Sequence, residues 1–159
     1  MKAEPEKWLD PRAKLLWRLM GALQAAPVLI GGVFGSYVLF GWAGATPYLA
    51  VLPAVAALAL AVLFVFVLPP LVWRRWRYEI RPLEVDVQRG LVRVTRTLVP
   101  MTRVQHVDTR RGPLQRRLGL STVVFYTAAG PNEIPQLAQD TASEVRDRIA
   151  ELTRGADEL

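Results

Sequence analysis

The stretch "LVPMTRVQHVDTRRGPLQRRLGL", Leu98 to Leu120, carries Arg103, Arg110, Arg111, Arg116 and Arg117 against a single acid, Asp108. Guanidinium groups grip carboxylates and phosphates through paired N–H donors and stay charged at any physiological pH. Arg110-Arg111 and Arg116-Arg117 bracket a Gly-Pro turn, so these four are expected to gather at one end of whatever fold carries them. Three uses of such a cluster are open. It can bind anionic lipid headgroups, dock an acidic protein surface (including the acidic helix of a second copy), or pair internally with Asp108 or the C-terminal helix. Nucleic acid is not expected, because no aromatic residues interleave with the patch as stacking platforms.

Other chemistry finds little support. His106 is the single histidine and there is no cysteine, so there is no histidine cluster or cysteine ligand for a metal and no thiolate nucleophile. Ser121 and Ser143 lack a nucleophile-elbow context, and no glycine-rich phosphate loop joins a strand to a helix. The expectation is a protein that is not an enzyme and carries no cofactor or metal.

The elements that must position these arginines begin with a membrane. From Leu19 through Trp73 the chain has no Asp, Glu, Lys or Arg over 55 residues. A spanning helix needs about 20 apolar residues, so two fit, over 19–42 and 48–73, with "GWAGATP" as the break. Trp17, Trp42, Tyr48, Trp73 and Trp76 lie at the ends of these spans, where amphipathic rings favour the bilayer interface. Lys14 and Arg18 precede the first span and Arg74, Arg75 and Arg77 follow the second. The positive-inside rule then puts both chain ends in the cytoplasm, with 1–18 a juxtamembrane segment and 74–159 a cytoplasmic domain. Within the first span Gly31 and Gly35 form a GxxxG pair, repeated one residue on by Gly32 and Ser36. Small residues at this spacing let helices approach closely, either a second copy or the partner span with Ala50, Ala54, Ala57 and Ala61.

After the spans the hydrophobic period drops to two. Leu83, Val85 and Val87 alternate with Glu84, Asp86 and Gln88, Arg89-Gly90 makes a turn, and Val92 and Val94 resume the alternation, which predicts an antiparallel hairpin. Further β-rich runs follow, with "GPLQRRLGL" as a brief helical stitch. The last element is a helix over about 141–153, with Thr141 and Glu144 as a capping box and Ala142, Val145, Ile149 and Leu152 as its apolar stripe. Charge is unevenly spread: 12 arginines against four acids from Arg74 to Arg117, then three arginines against seven acids from Glu133 to Leu159.

Tyr78-Glu79-Ile80, Arg89-Gly90, Val99-Pro100 with Arg103-Val104-Gln105, and Gly112-Pro113-Leu114 with Arg117 and Gly119-Leu120 together resemble the bacterial pleckstrin-homology-like, membrane-flanked family (YdbS-like). The two preceding spans and the Leu9-Asp10-Pro11 lead-in fit its layout. The resemblance implies an α+β membrane protein in which a transmembrane helical hairpin precedes a small antiparallel PH-like split β-barrel capped by a C-terminal helix. The phosphoinositide-binding pleckstrin domains use a basic loop between their first two strands, typically with a lysine. The matching stretch here is Arg81 to Leu83, and 74–159 contain no lysine. The expected role is a membrane-anchored interaction or scaffold protein, with the bilayer and other membrane proteins (related PH-like proteins or itself) as partners. Anionic-lipid recognition by the arginine-rich end is the alternative.

Overall fold

The structure, a computed structural model, describes residues 4–42, 44 and 46–157; Met1–Ala3, Ala43 and Ala45 of the inter-span break, and Glu158–Leu159 lie outside them. It divides into a helical unit, 14–70, and a sheet unit that combines 1–13 with 71–159.

Two apolar helical runs make up most of the helical unit. Helix α1 spans Ala13–Gly41. After it, α2 (Pro47–Val62), a π-helical stretch (Leu63–Val67) and α3 (Leu68–Arg75) run on as one rod. Each rod has 29 residues; the most apolar 18-residue stretch in each has mean hydropathy 1.6 and 2.9, and only 11% of that stretch is buried. A helix that served a soluble core would be mostly covered, so these are candidate membrane spans. The π stretch has a local cause. Pro69 and Pro70 lack the N–H groups that would reach the carbonyls of Val65 and Phe66, and their rings push those carbonyls aside.

Small residues decide how the two rods pack inside this unit. A Cβ added at Gly32 would lie 2.4 Å from Ala57 Cβ and 2.8 Å from the Pro53 carbonyl oxygen, and one at Gly21 would lie 2.7 Å from the Phe64 carbonyl oxygen. Ala25, Ala50, Ala57 and Ala61 are buried along the same seam. Ser36 Oγ accepts a hydrogen bond from the Ala54 N–H at 3.2 Å, one residue past Pro53. The contact therefore uses the Gly32/Ser36 phase. A Cβ at Gly31 would meet nothing within 4 Å, and one at Gly35 only the Pro53 ring at 3.5 Å.

The sheet unit has two antiparallel sheets. The first has the order β1-β2-β3-β4, from β1 (Lys7–Trp8), β2 (Arg77–Ile80), β3 (Glu84–Arg89) and β4 (Thr95–Pro100). The second has the order β5-β6-β7, from β5 (Val104–Arg110), β6 (Leu120–Thr127) and β7 (Gly130–Ala138). A 3-10 turn, Met101–Arg103, links them, and the short α4 (Pro113–Leu118) joins β5 to β6. Among the described residues no strand pairing closes the two sheets into a barrel. Helix α5 (Gln139–Asp157) packs on the second sheet through Ala142, Val145 and Ile149, against a core that includes Phe125, Ile134, Leu137, Leu120 and Met101.

Three details depart from the period-two reading. Val85 and Val87 are buried as the alternation requires, but Leu83 is 78% exposed, and Asp86, placed by alternation on the polar face, is fully buried. The strand after the turn resumes at Thr95, with Val92 98% exposed. Gly90 sits at φ +122, where a Cβ would lie within 2 Å of the Arg93 carbonyl oxygen, so a loop over 90–94 replaces a tight turn. Helix α5 starts at Gln139, which places Thr141 inside its first turn.

Candidate functional site

The arginine end is built on α4. Gly112-Pro113 starts the helix, since proline at the first turn forfeits no intrahelical bond. Gly119 ends it at φ +66, a left-handed conformation that costs glycine nothing. Gln115 fixes it from the middle. Its Oε1 accepts from the Gly112 N–H at 2.8 Å, while its Nε2 donates to Thr122 Oγ1 at 2.8 Å and to Gln136 Oε1 at 3.0 Å. Gln136 is itself held at φ +54, unusual for a residue with a Cβ.

On this support Arg110, Arg111, Arg116 and Arg117 all project into solvent. Arg110 reaches the Tyr126 hydroxyl and lies 5.7 Å from that ring's centre. Among the described residues none of the four has a carboxylate partner. Asp108, the expected internal partner, instead takes His106, with Nε2 and Oδ2 2.9 Å apart, and the His106 ring meets Tyr126 edge-on at 5.0 Å. Arg103 is exposed too, but it stands beyond the other end of β5. The strand carries the backbone from it to Arg110, roughly 23 Å at the usual rise. Arg110, Arg111, Arg116 and Arg117 thus lie at or next to the β5–α4 end, and Arg103 stands apart.

The residues before α1 brace this end, a role that no period or motif signals. β1 pairs with β2, Lys7 opposite Tyr78 and Trp8 opposite Arg77. Leu9 is 1% exposed. Trp73 stacks on Trp8 with ring centres 5.2 Å apart, and its indole N–H donates to the carbonyls of Leu9 (3.1 Å) and Asp10 (3.2 Å). Arg77 caps the other side of Trp8 at 4.2 Å and pairs with Glu4 at 3.0 Å. The Asp10 N–H donates to the Gln136 carbonyl at 3.1 Å, and Arg12 Nη1 donates to the Leu118 carbonyl at the end of α4 at 3.0 Å. Asp10 holds Arg12 in return (3.0 Å); burial pushes its carboxyl up, but the hydrogen bonds and charge of Arg12 outweigh this and hold it below its ordinary range. The segment 4–12 is therefore a strap within the sheet unit rather than a plain juxtamembrane tail.

Two interface expectations change accordingly. Trp76 is buried in the sheet unit at 8% exposure, so its ring is not available to a headgroup layer, and Trp73 spends its face and its N–H on the strap. Trp42 and Tyr48 are 86% and 87% exposed, and Trp17 is half-buried.

The β2–β3 loop, where lipid-binding pleckstrin domains place a basic residue, is occupied by an internal network. Arg81 contacts Glu79 at 2.8 Å, Glu84 at 3.4 Å and Asp86 at 3.7 Å, and Arg96 forks onto both oxygens of Asp86, the shortest contact being 2.6 Å. These carboxylates raise both arginines above their ordinary values, led by the hydrogen bond from Glu79 for Arg81 and from Asp86 for Arg96.

Comparison with known proteins agrees with this architecture. The bacterial PH domain family matches residues 25–153. The UPF0699 transmembrane protein YdbS of Bacillus subtilis (strain 168) is 38% identical over 163 aligned residues, covering 99% of both chains. The UPF0699 transmembrane protein YdbT of the same organism is 29% identical over 97 residues, 60% of this chain but 20% of that longer protein. No solved structure matches. The chain belongs to the bacterial PH domain family and is YdbS-like.

Proposed function

We propose that this protein is a non-enzymatic, membrane-anchored interaction or scaffold subunit that presents its PH-like unit at the cytoplasmic face. The observation that carries the reading is the group Arg110, Arg111, Arg116 and Arg117, exposed and without carboxylate partners among the described residues, at the end of β5 and on the α4 helix that Gln115 and Arg12 brace. Exposed cations without carboxylate partners suit an acidic surface on another membrane protein, a related PH-like protein or a second copy, because complementary charge steers and orients docking. The cytoplasmic side follows from the basic residues that flank both spans and the uncharged break between them. Trp17, Trp42 and Tyr48 serve as interface anchors in this reading.

The test is retention of membrane proteins by the full chain, purified in mild detergent, against a variant with all four arginines changed to Ala. Docking at this end predicts partners held at a fixed ratio by the wild type and lost by the variant. Equal retention by the two sinks the reading.

A second reading rests on the number of charges. Each basic residue near an anionic leaflet contributes about 1 kcal/mol, so four would suffice to bind lipid headgroups. Hydrogen exchange of 110–118 in nanodiscs separates the readings: slowing in anionic but not neutral discs favours lipid, whereas no difference removes it.

A further inference from the structure

Arg103, set apart from the other four, lines a cleft of about 580 Å³ along with Leu98 and Pro100 of β4, Gln105 of β5, and Ala129 and Pro131 at the β6–β7 turn. All of it lies in the sheet unit. Strand β4 pairs with β3 on one side only, and β5 is likewise the outer strand of its sheet. Such an edge presents a row of unpaired main-chain N–H and C=O groups, and natural proteins usually blunt it with a charge, a proline or a bulge. Here the one charged residue of β4, Arg96, is drawn onto Asp86, and the proline stands at the strand's last position. Leu98, at the middle of the open stretch, is 42% exposed. Arg103 is exposed at the rim with no carboxylate within ion-pair distance among the described residues.

We infer that this cleft takes an extended, acidic peptide segment of another protein, added as a strand to the free edge of β4, with a carboxylate on Arg103. The main chain would supply most of the binding, as in other cases of strand addition. Alternate side chains would select: one set faces Leu98 and Pro131, and the acid faces the guanidinium. The occupant is about five or six residues long, matched to the six residues of β4. This surface is separate from the α4 end, so it stands whether or not the four arginines dock anything.

The probe is a fluorescent hexapeptide of alternating Val and Thr with one central Glu. Every second backbone nitrogen is methylated, so that it can extend a sheet on one side only. Anisotropy against the full chain in nanodiscs is expected to show saturable binding, weakened about tenfold or more when Lys replaces the central Glu. Arg103→Glu, an exposed change that leaves the core alone, should invert that preference, and methylation of all the nitrogens should abolish binding. Hydrogen exchange should slow at Arg96 and Leu98, the β4 amides in the phase that turns away from β3. Equal affinity for the Glu and Lys peptides, binding that survives full methylation, protection elsewhere, or no binding at millimolar peptide overturns the inference. So does slow exchange of Arg96 and Leu98 in a dimer without peptide, which would assign the edge to a second copy.

Discussion

The outer face of the first sheet and the α4 end use the same residue type for opposite purposes. Arg81 and Arg96 lie over a fully buried Asp86, with Glu79 and Glu84 alongside, so their charge is spent within the fold. Arg110, Arg111, Arg116 and Arg117 are exposed and have no carboxylate partner among the described residues, Arg110 reaching only the Tyr126 hydroxyl. The contrast shows that arginine density by itself says little about binding. What separates the two regions is the presence of acids at the facing positions of neighbouring strands, Glu79 opposite Asp86 and Asp86 opposite Leu98.

The strongest way to break this comparison is Asp86→Ala. It leaves two guanidinium groups over a site built for a carboxylate, and should cost about 3 kcal/mol, the low end for a broken buried pair because both arginines keep access to water. Thermal unfolding of the full chain in detergent measures it; a change under about 0.5 kcal/mol would show that the network is ornamental. Next comes the same distinction between engaged and free in the helical unit. Gly32→Leu must overpack the seam against Ala57 and Pro53, at about 1–3 kcal/mol, while Gly31→Leu should leave the melting midpoint unmoved. Equal effects would mean that Gly31 is also packed, against a second copy.

Smaller still, Arg12→Ala removes the bond to the Leu118 carbonyl. It should speed hydrogen exchange across α4 with only a modest drop in midpoint, less than for Asp86→Ala. The four-arginine Ala variant should melt with the wild type, since surface changes away from caps and cores are near neutral; a clear loss of stability would place those arginines with Arg81 and Arg96 after all. The least effect is on acidification. Asp10 is held below its ordinary range, so its contribution is present above the unfolded-state value and is lost as pH falls through the folded one. The difference in midpoint between wild type and Asp10→Asn should therefore shrink below about pH 4 and be largest near neutrality. A constant difference would assign the effect to shape rather than charge.

Much of the architecture was legible because it rests on periodicity. The uncharged run marks the apolar helices, the alternation at Val85 and Val87 marks antiparallel strands, and Ala142, Val145 and Ile149 mark the buried stripe of α5. What escaped has no period. A two-residue strand at Lys7–Trp8 carries no pattern, so the strap is invisible until Trp73 and Gln136 are seen to hold it. Alternation placed Asp86 on the outer face correctly in phase, but it cannot tell that Arg96 and Arg81 roof that face over. Of the two glycine phases one residue apart, only the position of Pro53 and Ala57 selects Gly32. The candidate arginines were legible as a group of five, whereas their division depends on β5 spanning Val104 to Arg110, which sets Arg103 at its far end.

The strap has a consequence for how the chain is made. The sheet unit is interrupted in sequence by the whole helical unit, 14–70, so its first strand is synthesised before both apolar helices and its other strands after them. Residues 4–12 must wait, unpaired, while the hairpin is produced, and they find β2 only later and Gln136 later still. Closing a gap of that length between flexible ends costs entropy that grows only slowly with length. Two antiparallel helices that return the chain toward its starting point remove much of that cost in advance. The hairpin then acts as a folding clamp as well as an anchor, raising the local concentration of a strand too short to find its place alone.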